Sequence, residues 1–589
     1  MTSTFRNLGI GVAALALCVS LACCGITPEP MESPANGKET TEVQTPAPAA
    51  PDTSSSQSEP SAKTDATEGA YADEYVLTEE PFEGVAGSLM PYGYDGGFNT
   101  EEYASVDEAG FVSTMATPLS TVSADVDTAS YANLRRMLSS GYKVLSAEER
   151  AAKEASEGDD YWYYDYYADM DQSVPSGAVR IEEMLNYFTY DYATPEGDAG
   201  FATTARVGAC PWNPDTQLLV LGFATPHESP SVAENGSNLV FLIDVSGSMD
   251  DPDKLPLLQS AFGELVEGLT DKDRVSIVTY AGGESVVLEG ESGANHVEIM
   301  RAVRSLKADG STNGEAGLRM AYELAGKYRI EGGVNRIVMA SDGDLNVGMT
   351  SESDLHDFVD QKRGEGVYLS VLGFGAGNYK DSKMETLADH GNGSYHYIDC
   401  EAEAKRVFGE RLTANLIPFA DDVKVQVEFN PAEIKGYRLI GYENRTMAAE
   451  DFTNDEKDAG EVGPESQFSV AYEIVRADSA MNIPVPELKY GAGNASATPG
   501  EWLTAKLRYQ PIGGGDVQQV ETVVTQETWS EDPGDDWRFA AAVTEFGMLL
   551  RDSEFKGTSS YDSVRSLVTN TNDPARAEFL DLVNRAQNN

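Results

Sequence analysis

From residue 238 onward, continuous apolar runs alternate with segments whose apolar residues recur at steps of three and four. NLVFLIDVS reads as a buried strand, and the segment after it sets Leu255, Leu258, Phe262, Leu265 and Leu269 on one helical face. Pro256 is compatible with that helix only if it starts near Asp253, so that the proline falls in the first turn. RVSIVTYAG, a short edge strand near SVVLEG, the helices VEIMRAVRSLKA and GEAGLRMAYELAGKY, and the strand RIVMASDG follow. VYLSVLGFG, a helix through METLADH, the strand GSYHYID and a helix AEAKRVFGERLTANL complete the alternation. This pattern predicts an α/β unit over residues 236–416, a doubly wound, mainly parallel, Rossmann-like sheet covered on both faces.

The flanks read differently. In the segment 76–235, SADVDTASYANLRRML predicts a helix capped by Asp127 or Thr128, with Tyr131, Leu134 and Leu138 on one face. A second helix, VRIEEMLNYF, precedes two strands around the Pro-Trp-Asn-Pro turn of ARVGACPWNPDTQLLVLGFAT. In the segment 417–589, DDVKVQVEFNP, YRLIGYENR, QFSVAYEIV and EWLTAKLRYQ predict antiparallel strands. Helices at WRFAAAVTEFGMLLRD, YDSVRSLV and PARAEFLDLVNRA end the chain. The expectation is a β-sandwich with packed helices, in which strands around 201–225 join those of the C-terminal segment across the intervening unit.

The first residues carry an address. MTSTFRNLGIGVAALALCVSLACCG has Arg6, a short apolar run and small residues, as a secretory signal does. Leu21-Ala22-Cys23-Cys24 resembles the lipobox of bacterial lipoproteins, which makes 1–24 the signal, Cys24 the lipid attachment and Cys23 the competing acceptor. Residues 25–75 are rich in Pro, Ser, Thr, Ala and Glu, too poor in apolar surface to fold, and form a tether. These features place the protein in the cell envelope, lipid-anchored on the outer side of the cytoplasmic membrane.

A net charge of -55 excludes a nucleic-acid partner and favours divalent cations. Cys210 and Cys400 can pair in an oxidising compartment or stay as buried thiols. The Tyr- and Trp-rich stretch 159–171 reads as an inserted acidic loop or a binding surface. Asp125 and Asp127 fail the haloacid dehalogenase comparison, since Ala129 stands where that motif wants Thr or Val and the preceding residues are not an apolar strand.

VFLIDVSGSMD holds the chemistry. Asp244, Ser246 and Ser248 alternate, so their oxygens can converge at the end of a strand. Thr312, in the loop ADGSTNG, and Asp342, ending RIVMASD, fall at the same edge of a doubly wound sheet. In that order the five positions resemble the metal-ion-dependent adhesion site of von Willebrand factor type A (VWA) domains. PLSTVSADVDTASYANLRRML, VRIEEMLNYF and the strand-rich then helical tail are similar to YfbK-type bacterial proteins.

The resemblance implies a bound Mg²⁺ on three hydroxyls and two carboxylates, with Mn²⁺ also suited and Ca²⁺ less so. A Glu or Asp of a protein partner would complete its coordination, making the chain an adhesion or assembly module rather than an enzyme. Two further readings are a metal-dependent hydrolase, against which no HExxH, GxSxG or Walker loop occurs, and an envelope scaffold with a stabilising metal. Asp250, Asp251 and Asp253 read as a solvated rim.

Overall fold

The computed structural model describes residues 100–157, 172–197, 199–227, 234–311, 314–343, 352–484 and 498–589. The signal segment, Cys23, Cys24, the tether, the stretch 159–171 and Thr312 therefore lie outside the described residues. Among the described residues no helix is long and apolar enough to cross a membrane.

The N-terminal flank supplies β1 (Val112–Ser113), β2 (Leu119–Ser123), β3 (Ala202–Ala209) and β4 (Gln217–Ala224). Between β2 and β3 lie the helices Ala129–Ser139 and Ile181–Asn186. The central unit contains β5 (Ser237–Asp244), β6 (Arg274–Tyr280), β7 (Glu284–Ser292), β8 (Val334–Ser341), β9 (Tyr368–Phe374) and β10 (Tyr395–Ile398). The C-terminal segment adds β11 (Ala420–Phe429), β12 (Ile434–Ile440), β13 (Thr446–Met447), β14 (Gly460–Val462), β15 (Gln467–Arg476), β16 (Glu501–Pro511) and β17 (Gln518–Thr525).

The central sheet runs β10-β9-β8-β5-β6-β7, parallel except for β7, which is antiparallel to β6 at the edge. Burial on both faces explains the unbroken apolar runs. Leu239, Phe241 and Ile243 of β5 pack with Leu258, Phe262 and Leu265 of the helix Leu255–Glu267. The alternate residues Val240 and Leu242 pack with Leu318 and Tyr322 of the helix Gly314–Lys327 on the other face.

The two flanks make one sandwich. One sheet is β1-β12-β15-β4-β3 and the other β13-β2-β11-β16-β17, with β14 paired to β11. Their facing sides share a core, Leu219 and Leu221 of β4 and Val470 and Tyr472 of β15 meeting Val425 and Val427 of β11 and Leu507 of β16. Leu218, Val220 and Ala471 point the other way, into a helical layer formed with Trp537, Phe546 and Phe579 of the helices Asp535–Arg551 and Pro574–Asn588. Glu473 of β15 ties the β3–β4 turn to this framework, accepting from Asn213 and Thr216 at 2.7 Å each, Trp212 at 3.3 Å and Arg438 at 3.0 Å. The flank also grips the central unit, where buried Glu403 accepts from Arg135 at 2.9 Å, Arg406 at 2.7 Å and Tyr187 at 2.8 Å.

Two local readings change, and one left open is decided. Thr128 does precede the helix Ala129–Ser139, yet its side chain makes no cap hydrogen bond and meets Nδ1 of His396 at 3.0 Å. Asp127 likewise accepts from the Tyr395 N–H at 2.7 Å, so tertiary partners take both candidate caps. The segment AEAKRVFGERLTANL breaks into Glu401–Lys405, a π-helical turn Arg406–Glu410 and Leu412–Leu416. The Asn415 amide donates to the Val407 carbonyl at 3.0 Å, giving the widened turn a partner. Cys210 and Cys400 are both free thiols, each pushed up to about 12 by burial.

Candidate metal centre

The chain steps from β5 to β6 on one side and returns through β8 on the other, so strand order reverses beside β5. Ligand sites of open α/β sheets lie at the carboxyl ends of the strands at such a reversal. Ile243 is in register with Ala340, which brings Asp244 and Asp342 out of the sheet beside each other. Both are fully buried. The Asp244 carboxylate accepts from the Ser246 N–H at 2.9 Å and from the Ser341 hydroxyl at 3.1 Å. Burial first, and then the charge of Asp342, pushes the Asp244 carboxyl up to about 6.

The serines follow directly. Ser246 precedes a 3₁₀ turn over Gly247–Asp250 but makes no side-chain cap hydrogen bond, which leaves its hydroxyl to Ser248, 3.0 Å away. Ser246 is buried and Ser248 exposed, so the group opens to solvent on the Ser248 side. The loop Ala308–Ser311 is held against this turn, Gly247 N–H donating to the Gly310 carbonyl at 3.0 Å and Asp309 N–H to that of Val245 at 2.8 Å. Gly310 has φ +88°, a conformation that favours glycine. The structure thus brings Asp244, Ser246, Ser248 and Asp342 to one edge, while Thr312 lies outside the described residues.

Sequence reading missed three neighbours. Lys254 is buried and donates its ammonium to Asp342 Oδ2 and to Asn378 Oδ1, both at 3.2 Å. Asn378 donates in turn to the same Asp342 oxygen at 3.0 Å. Ser341, already described, is the third. One signal was available for Lys254, since a cation at the N-cap of an apolar helix opposes the helix dipole and calls for a local partner. Asp250 and Asp251 are exposed, as a rim would be, whereas Asp253 is partly buried and its carboxyl raised by burial.

These residues fit a small, hard divalent ion. The donors are all oxygen, and the serine hydroxyls stand 3.0 Å apart, close to the ~3.0 Å edge of an octahedron with bonds of about 2.1 Å. No cluster of three or more His, Cys, Asp or Glu with metal-ligand character occurs among the described residues.

Three family models match the chain. The model "von Willebrand factor type A domain" matches residues 238–410, and "Uncharacterized protein YfbK, C-terminal" matches 414–588. A model described as "von Willebrand factor" matches 97–170 and 166–220. Inter-alpha-trypsin inhibitor heavy chain H3 of Homo sapiens is 28% identical over 190 residues, 31% of this chain and 21% of that one. A solved von Willebrand factor type A structure from Catenulispora acidiphila has 16% identity and a TM-score of 0.37, covering 67% of this chain and 91% of its own. The Escherichia coli (strain K12) protein YfbK is 36% identical over 503 residues, which covers 83% of this chain and 81% of that one. With that likeness over most of both chains and the two matched domain models, the protein belongs to the YfbK family of VWA-domain proteins.

Proposed function

We propose that the chain is an envelope-anchored capture module, which holds Mg²⁺ on Asp244, Ser246, Ser248, Thr312 and Asp342 and uses it to bind a Glu or Asp of a protein partner. A VWA domain makes the chain a protein-interaction or adhesion module. The observation that carries the finer reading is the meeting of the Ser246 and Ser248 hydroxyls with two buried carboxylates at the solvent-facing edge of the sheet. When bound, the ion supplies an electrophilic corner that an outside carboxylate can fill. The protein's part is to orient. The Ser246 N–H and the Ser341 hydroxyl hold the Asp244 carboxylate in place, and the exposed Ser248 sets the open side toward solvent.

The lipobox-like Cys24 and the polar stretch 25–75 support a lipid anchor and a tether that hold the module off the outer side of the cytoplasmic membrane. Acylation at Cys24 is read by the mass of the mature N-terminal peptide.

The test is calorimetric titration of the purified protein with Mg²⁺, alongside capture from envelope extract with and without EDTA. Stoichiometric uptake abolished by Asp244→Asn, with a captured set that depends on the ion, is expected. No uptake even with a carboxylate salt present, or a captured set indifferent to chelator, overturns the reading.

A further inference from the structure

Lys254 sits where its charge must matter to the site. It is 3% exposed, and desolvating an ammonium costs several kcal/mol unless it is paired. Its stem runs across Gly375, which has φ +73° and where a Cβ would strike Cγ, Cδ and Cε of Lys254. The ammonium reaches Asp342 and Asn378 at 3.2 Å each and lies 3.8 Å from the exposed carboxylate of Asp251. The lysine is therefore seated in a fitted slot and aimed at a carboxylate of the proposed centre, not lying on the surface.

Charge counting gives the consequence. Asp244 and Asp342 alone would fully neutralise a divalent ion. With Lys254 added, the same ion leaves these buried groups with a net positive charge where solvent screening is weak, and exposed Asp251, 3.8 Å from the ammonium, offsets it only through solvent. Binding the ion alone is then opposed, and binding it together with an anion is favoured. Linkage makes this reciprocal, so that the acid raises affinity for the ion by the factor with which the ion raises affinity for the acid.

We propose that Lys254 is a built-in counter-cation that couples ion uptake to capture of a carboxylate, holding the empty site in a weakly ion-binding state until an acidic group arrives. This rests on the proposed function above and deepens it by naming what makes the site prefer an acid.

The experiment titrates the full chain with Mg²⁺, in excess sodium chloride and in excess sodium acetate at equal ionic strength, for the wild type and for Lys254→Met, Lys254→Gln and Lys254→Arg. Thermal melting in EDTA checks the fold of each. The wild type is expected to bind Mg²⁺ more tightly in acetate. Lys254→Met and Lys254→Gln should bind Mg²⁺ alone roughly tenfold or more tightly and lose most of the acetate effect. Lys254→Arg should keep wild-type behaviour. Unchanged or weaker Mg²⁺ binding in whichever neutral variant folds, with the acetate effect intact, overturns the coupling role while leaving the metal site standing. A wild type that takes up no Mg²⁺ in either salt overturns the site itself, and this role with it.

Discussion

Ser341, the last residue of β8, gives its hydroxyl to the carboxylate of Asp244, the last residue of β5, at 3.1 Å. The bond spans the strand reversal, and the same hydroxyl oxygen accepts from the Gly343 N–H at 3.0 Å. Outer residues that orient ligands typically cost 10- to 100-fold in metal affinity when removed. Ser341→Ala should therefore weaken Mg²⁺ binding by roughly tenfold or more in calorimetry. Melting in EDTA should fall modestly, because the buried Asp244 carboxylate and the Gly343 N–H each lose one partner.

The Glu473 hub predicts a large stability effect far from the site. Four side chains of the sandwich donate to it, Arg438 among them, and both partners of that pair are nearly inaccessible. Glu473→Ala leaves a buried guanidinium without its counter-charge, which costs about 3–5 kcal/mol. Urea unfolding followed by tryptophan fluorescence measures it, and Trp212 reports the hub directly.

Acid should loosen the grip between the flank and the central unit. Burial would raise the Glu403 carboxyl, but Arg406 and Arg135 outweigh burial and hold it down at about 2. A depressed folded value means that its stabilisation is complete above the unfolded value near 4.5 and drains away as pH falls from there toward 2. The contribution is about 3 kcal/mol. The wild type should lose this advantage over Glu403→Gln across that interval, as read by urea midpoints at successive pH values.

Residues 417–589 should not fold alone. Without the N-terminal flank, β15 loses β4 as a neighbour and β11 loses β2, and the core loses Leu219 and Leu221. An isolated fragment should show no cooperative urea transition, whereas the full chain should. A fragment with a sharp transition and native near-UV dichroism would contradict this.

Much of this architecture can be read from the chain because burial dictates pattern. Strands of the central sheet are buried on both faces and read as continuous apolar runs, and the Asp-x-Ser-x-Ser spacing follows from the two-residue period of an extended chain. Roles set by distant partners were not legible. Thr128 and Asp127 look like caps, but His396 and Tyr395, brought up by β10, claim their side chains. Lys254 meets Asp342 and Asn378 across separations of 88 and 124 residues, and no local pattern announces such a meeting. The non-sequential order of the sandwich strands is equally hidden, since alternation tells which face is inward and says nothing about which strand lies next door.

That interleaved order also constrains the timing of assembly. As the polypeptide leaves the ribosome, β5 to β10 can close against one another first, because every neighbour in that sheet comes from the same stretch of chain. β2 and β4 emerge earlier yet stay without their partners β11 and β15 until most of the protein has been made. Completion of the sandwich is thus a late, slow event governed by long-range pairing, and until then the nascent N-terminal strands expose the edges most prone to misassociation.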